Sequence, residues 1–476
     1  ESSHPRRMYI GTAQFRGTTV VLLGDPVIRP TLSQTAPYNP ELITQSWGFE
    51  RGGAVTADLN NDGYQDIVAG GYTVVQDSAT SETTGKPASY LALFAPRTHK
   101  WTKVTAVPPF KVADSPSLVP CDINGDGNMD IVAFDQTGTA ESRKGIFLGK
   151  GNGTFQEAEL RLEVNGQWSM VNGLSAACNA EVIDIDNDGR LDTILVGREG
   201  ERCCNVILHN QTTDLTGGLS FSAEPFETDF LFSQAIIQTA DFNNDGFQDF
   251  VISALVDGKD DQLRFSNVYL NDSRQPGTFT RLCLGEKGAD LKRKSNGALQ
   301  VADFNDDGWP DIMLAGLGEV SSGESTKRQR IYINQQTEVP SFKAISCEFQ
   351  TDIYTLSSSA SNSAGVIDWN GDGFYDIMLG GIKSNVYGGM LYLNDGKGRL
   401  GRSVAIPGAT GASIIFPDYN GDGRKDFLLI GHSEDKNYLT EEQYGDNVIL
   451  CCNLLPMPSR PDAPTATTVT KQADGV

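Results

Sequence analysis

The chain has 476 residues, 39% hydrophobic and 21% charged, the balance of a folded chain and not of a disordered one. Its formal net charge of -23 argues against nucleic acid or an anionic membrane surface as a partner. No run of 18 or more apolar residues occurs, so helical membrane insertion is not expected.

In chain order, "ESSHPRRMYI" carries no signal-peptide pattern and reads as the start of a mature or trimmed product. The first apolar run is "TTVVLLG" at 18–24. From there the chain is organised by one repeated string, D-x-[ND]-x-D-G-x-x-D. It begins at Asp58, Asp122, Asp184, Asp241, Asp303, Asp368 and Asp418, with successive starts 50 to 65 residues apart. A short apolar segment precedes each string, and a buried-looking run such as "DIVAGG", "DTILVG", "DIMLAG" or "DFLLIG" follows it. A third segment comes next ("YLALFA", "NVILHN", "NVYLND", "RIYINQ", "MLYLND", "NVILCC"), then a weaker fourth ("FQEAELRL", "FTRLCL", "FKAISC"). Short runs rich in Val, Ile, Leu, Phe and Tyr, punctuated by Gly, Asn and Asp, read as strands and turns.

The expected fold is therefore all-β: a seven-bladed β-propeller of four-stranded antiparallel blades over residues 1–456. The last unit runs from its third strand into "LLPMPSRPDAP" without a fourth. The run at 18–24 is expected to complete that blade and close the ring, since an open seam leaves unpaired strand edges. Residues 457–476, rich in Pro, Thr and Ala, read as a linker to a truncated following module; "PDAPTATTV" resembles the lead-in to a fibronectin-III or immunoglobulin-like unit.

The repeated string places oxygen ligands as a hard cation needs them, and Ca²⁺ takes six to eight oxygens. Position 1 is Asp58, Asp122, Asp184, Asp241, Asp303, Asp368 or Asp418. Position 3 is Asn60, Asn124, Asp186, Asn243, Asn305, Asn370 or Asn420, and position 5 is Asp62, Asp126, Asp188, Asp245, Asp307, Asp372 or Asp422. Position 7 offers only a backbone carbonyl, which explains its variety: Tyr64, Asn128, Arg190, Phe247, Trp309, Phe374 and Arg424. Position 9 is Asp66, Asp130, Asp192, Asp249, Asp311, Asp376 or Asp426 and is expected to supply the closing ligand. An EF-hand would need Glu at position 12, where this chain has apolar strand residues. Up to seven structural Ca²⁺ are expected, in turns between the first and second strands of each blade, where they would offset more than half of the net negative charge. The alternative is a set of metal-free Asx turns.

These strings, each followed by an apolar strand, resemble the FG-GAP (or VCBS) repeat propellers, which include the head of the integrin α subunit and a seven-bladed fungal lectin. The likeness covers roughly residues 8 to 456, although the Phe-Gly and Gly-Ala-Pro signatures are degenerate, with "VAGGY" and "MLAGL" in place of the latter. It implies that the metal turns stabilise one rim and that ligand is met elsewhere.

On the opposite face the expected ligand contacts are Trp168, Trp47, Arg51 and Phe49, because aromatics beside Asn, Gln and Ser suit sugar stacking or protein docking. Packing between blades is the competing explanation for each aromatic. The expected role is an extracellular or cell-surface recognition or adhesion module, in a secreted setting that includes the periplasm, binding a protein or cell-surface ligand. A lectin-like glycan binder is the alternative, and a polysaccharide-processing enzyme stands behind both. An enzyme is not expected: there are only 4 His, and no G-x-S-x-G, H-E-x-x-H or P-loop string. The 8 Cys include no C-x-x-C pair, so a zinc ribbon is not expected; Cys178 with Cys203 or Cys204 is the one disulfide pairing considered.

Overall fold

The computed structural model describes residues 9–11, 20–22, 38–44, 49–76, 83–98, 100–105, 108–114, 116–137, 141–164, 167–171, 177–213, 218–256, 263–282, 298–315, 330–345, 353–354, 364–383, 386–406, 410–419, 422–433 and 445–453. The described chain is an all-β propeller of small four-stranded antiparallel blades. Each blade is named below by the Asp that opens its turn.

The Asp58 blade shows the pattern: Glu50–Ala57, Asp66–Gln76, Thr83–Ala95 and Lys100–Lys103 pair in sequence order as neighbouring antiparallel strands. Each first strand lies innermost. Glu50–Ala57, Ser117–Cys121, Ala177–Ile183, Phe232–Ala240, Leu299–Ala302, Ala364–Ile367 and Thr410–Ile415 touch one another in that order, and the last touches the first. A four-stranded sheet has two apolar faces and no partner within itself, so the cores lie between blades. Val132, Phe134, Leu208 and Phe221 join the Asp122 and Asp184 blades. Ile194, Phe232, Phe250 and Tyr269 join the Asp184 and Asp241 blades. Phe242, Leu299, Tyr332 and Phe342 join the next pair. Phe49, Tyr90, Leu428 and Ile430 join the last blade to the first.

That last blade takes its outer strand from the N-terminal side, as expected, but not from residues 18–24. Tyr38–Thr44 pairs antiparallel with Gly445–Asn453, whereas Val20–Leu22 pairs with Tyr9–Gly11. An outer strand is an edge and needs no apolar run. "YNPELIT" carries Pro40, which an edge strand tolerates because it need not donate on its free side. It also leads by a short connection into Glu50–Ala57, the innermost strand of the first blade.

One insertion departs from the repeat. After its outer strand, Phe155–Glu157, the Asp122 blade continues into Leu160–Val164, which runs parallel to Leu219–Pro225, the outer strand of the next blade. Gln167–Val171 folds back antiparallel on it, with Trp168 opposite Glu163. Trp168 therefore stands on a strand. Residues 457–476 lie outside the described residues, and no described helix is long and apolar enough to cross a membrane.

Candidate metal turns and the wiring between blades

Each repeated string forms the turn between the first and second strands of its blade. Position 4 lies in the left-handed region, with φ of 58° at Asn61, 57° at Asn187, 54° at Asn244 and 58° at Asp306, and with Gly125 and Gly371 in the equivalent places. Only Gly, Asn and Asp adopt this region at low cost, and these are the residues found there.

The left-handed residue curls the chain around the opening Asp. In the first turn Asp58 accepts N–H bonds from Asp62 at 3.0 Å and Gly63 at 2.8 Å. Asn60 Oδ1 accepts from Asp62 N at 3.1 Å, and its amide donates to Asp62 Oδ2 at 3.0 Å. Asp62 Oδ1 accepts from Tyr64 N at 2.9 Å. Positions 1, 3 and 5 are thus drawn together by the backbone they cap. The same bonds recur in the Asp122, Asp241 and Asp368 turns. In the Asp184 turn position 3 is a carboxylate, and oxygens of Asp184, Asp186 and Asp188 lie within 4.8 Å of one another. Asn420 lies outside the described residues.

Position 9 also has a structural part. Asp66 is fully buried; its Oδ2 accepts from Leu59 N at 3.0 Å and its Oδ1 from Phe94 N at 2.7 Å. Asp130, Asp192, Asp249, Asp311, Asp376 and Asp426 repeat this pair of bonds, to position 2 of their own turn and to the third strand. In the Asp184 turn the gathered oxygens do not include those of Asp192. Position 9 is thus a strut between turn and blade. Burial pushes the carboxyls of Asp66, Asp130 and Asp249 up to about 7 and that of Asp311 to about 8, against the lowering effect of their two N–H bonds; the Asp residues at positions 1 and 5 add to the rise. A divalent cation beside them would favour the ionised form.

The residue whose N–H meets the strut is Asn in five blades: Asn210, Asn271, Asn334, Asn394 and Asn453, all buried. Each side-chain amide donates to the position-2 carbonyl of the preceding turn, at 3.0 Å to Ile123, 2.8 Å to Ile185, Phe242 and Phe304, and 2.9 Å to Trp369. It also donates to position 8 of its own turn. In the Asp122 blade Gly149 takes the place of Asn, and Gly153 N donates to Leu59 O at 2.9 Å. Neighbouring turns touch directly as well: Asn61 donates to Asn128 Oδ1, Asn187 to Gly246 O and Asn244 to Gly308 O.

Two atoms speak to cation binding. Asn305 Oδ1, at position 3, and Asp418 Oδ1, at position 1, are buried without a hydrogen-bond partner. A buried oxygen left unpaired is costly unless something electropositive meets it, and both stand at ligand positions of the string. The hard-oxygen donor set fits a calcium-like ion and gives no thiolate or imidazole site.

The other face is sparsely described. Phe49 is buried at 2% exposure and stacks on Tyr90 with ring centroids 5.5 Å apart, so it packs between blades and is not a surface contact. It fits because Gly52 and Gly71 lack side chains: a Cβ at either would lie 2.6 to 2.7 Å from Phe49 Cβ. Trp47 lies outside the described residues, and for Arg51 only the strand position is described. Cys121, Cys178, Cys203 and Cys204 are free thiols, which removes the considered pairings of Cys178. The Asp122 blade carries a buried ion pair here, Asp135 with Lys144 at 3.2 Å, closed by bonds from Ala113 N, Thr137 and Ser142.

Blades joined by Asp-rich turns define a class of repeat β-propellers, and the comparison with known families narrows it. The FG-GAP-like repeat family matches residues 122–195 and 368–429, each running from one Asp-rich turn through the next and into the strand after it. With the blade arrangement, these matches support an FG-GAP-repeat β-propeller. No curated protein matches it significantly.

Proposed function

We propose that the chain is a seven-bladed, calcium-stabilised recognition module of the extracellular or cell-surface kind, meeting a protein or cell-surface ligand on the face opposite the turns. The observation that carries the calcium reading is the pair of buried, unpartnered oxygens at ligand positions, Asn305 Oδ1 and Asp418 Oδ1. Ions held by positions 1, 3 and 5 and the carbonyl of position 7 would neutralise carboxylates that otherwise repel one another. Because every turn except that of Asp418 is seen bonded to the next blade, metal would stiffen most of the rim. The ligand reading rests on the repeat class, whose propellers serve recognition and adhesion, and on the variable connections of the opposite face.

The first test is thermal unfolding with and without chelator. Chelation is expected to lower Tm by more than about 10 °C, with Ca²⁺ restoring it and Mg²⁺ doing so poorly. An unchanged Tm would remove the calcium reading. A glycan array with the calcium-loaded protein then decides the ligand class: a blank array with folded protein favours a protein partner, and selective binding lost in Trp168→Ala makes it a lectin.

A further inference from the structure

Two turns carry an internal cation. In the Asp184 turn the guanidinium of Arg190, at position 7, pairs with Asp188 at position 5, and its Nε donates to Asn210 O at 2.7 Å. In the Asp418 turn Arg424 Nη2 pairs with Asp422 Oδ2 at 2.8 Å, while Arg424 Nε is buried without a partner. In the Asp58, Asp122, Asp241, Asp303 and Asp368 turns, Oδ2 of position 5 takes its bond from a neutral donor, the amide of the position-3 Asn.

The charge count separates the two Arg turns. The Asp58, Asp122, Asp241 and Asp368 turns have Asp at positions 1, 5 and 9, a formal charge of about -3 with all carboxyls ionised; the Asp303 turn adds Asp306 at position 4, and the Asp418 turn carries Lys425 at position 8 beside its Arg. The Asp184 turn adds Asp186 and Arg190, which cancel. Asp186 cannot donate to Asp188, and Arg190 supplies that bond in its stead. The Asp418 turn has its Arg but no added acid, since Asn420 occupies position 3.

We propose that Arg424 is a built-in counter-ion that makes the Asp418 turn the weakest of the calcium turns, and that Asp186 is the compensating ligand that keeps the Asp184 turn as strong as the rest. The proposal rests on the calcium reading above. The weak turn belongs to the blade that closes the ring, so this blade would be the first to lose its metal as calcium falls.

The test is a Ca²⁺ titration of the chelator-stripped full chain by calorimetry, with native mass spectrometry counting bound ions. Arg424→Gln is expected to tighten one weak equivalent by about tenfold, moving it into the tight class; Arg424→Lys, which keeps the charge, is expected to leave it weak. Asp186→Asn is expected to create a second weak equivalent, and Arg190→Gln to tighten one already tight. Binding that is identical in all four variants and the parent would overturn the proposal while leaving the calcium reading intact. A parent chain that binds no Ca²⁺ would overturn both. Should Arg424→Gln fail to fold, Asp186→Asn still decides: an unchanged number of tight sites would count against the charge rule.

Discussion

The interface between the Asp241 and Asp303 blades and the seam between the Asp418 and Asp58 blades do the same job with different parts. The first is bolted by one amide, Asn334, which reaches Phe242 O at 2.8 Å and Pro310 O at 3.2 Å. At the seam the equivalent residue is Phe94, which cannot donate from its side chain. It packs edge-on against Tyr419 at 5.8 Å and Trp101 at 5.4 Å, and Trp101 lies 4.9 Å from Tyr419. Deeper in the seam, Ser413 Oγ accepts from Ala54 N at 3.0 Å and donates to Ala54 O at 3.1 Å. A repeated interface can rely on a bond that most copies share. The seam joins two ends of the chain and is held by a local aromatic cluster.

The comparison is broken most sharply at Trp101, 6% exposed, whose indole also donates to Gln65 O at 3.1 Å. Trp101→Ala is expected to cost about 3–5 kcal/mol in chemical denaturation, through lost packing and the cavity left behind. A loss under about 1 kcal/mol would mean that the cluster does not hold the seam.

Next comes Asn334→Ala, which strands two carbonyls and is expected to cost about 2–3 kcal/mol. Asn334→Asp should be no better, because it keeps the shape but brings acceptors to face the same carbonyls. If Asp restored stability, the bond geometry argued here would be wrong.

The smallest effect concerns the inner strands. Three residues before each opening Asp, the seam has Val55 and Ile415, whereas the far side of the ring has Glu181, Gln238 and Gln300. Burial pushes the Glu181 carboxyl up to about 8. With a folded-state value above the unfolded one, the native state holds the proton more tightly, so stability is greatest below about 4.5 and falls as pH rises towards 8. Glu181→Gln is expected to flatten that fall and to be more stable than the parent at pH 9, by on the order of 1–2 kcal/mol after discounting for solvent screening. A parallel pH profile in parent and variant would rule the residue out as its source.

Much of this fold was legible because the turn is a local device. Positions 1, 3, 5 and 6 bond to one another within a few residues, and position 4 must be left-handed, so the string announces the turn wherever it occurs. The third-strand Asn was in plain view in "HN", "ND" and "NQ". Its role was not, because its acceptor lies some 84 to 92 residues away and no local pattern marks it. Position 9 was only half legible for a related reason: an Asp beside a ligand cluster reads as a ligand, and only the fold shows which N–H groups its oxygens also meet. Phe49 looked like a surface aromatic, although "RGGAV" and "AGGY" record the missing Cβ atoms that let it in. The closing strand was passed over because an edge strand carries no hydrophobic signature.

That strand also sets a clock. Tyr38–Thr44 leaves the ribosome early, but its partner, Gly445–Asn453, is made about 400 residues later. At roughly 5–20 residues per second, the interval is about 20–80 s. Through all of it the nascent chain carries a strand with nowhere to dock and a first blade with one bare face. Assembly of the ring therefore cannot finish until translation has passed the last blade, and a product cut short before residue 445 is left with an open edge for other chains to find.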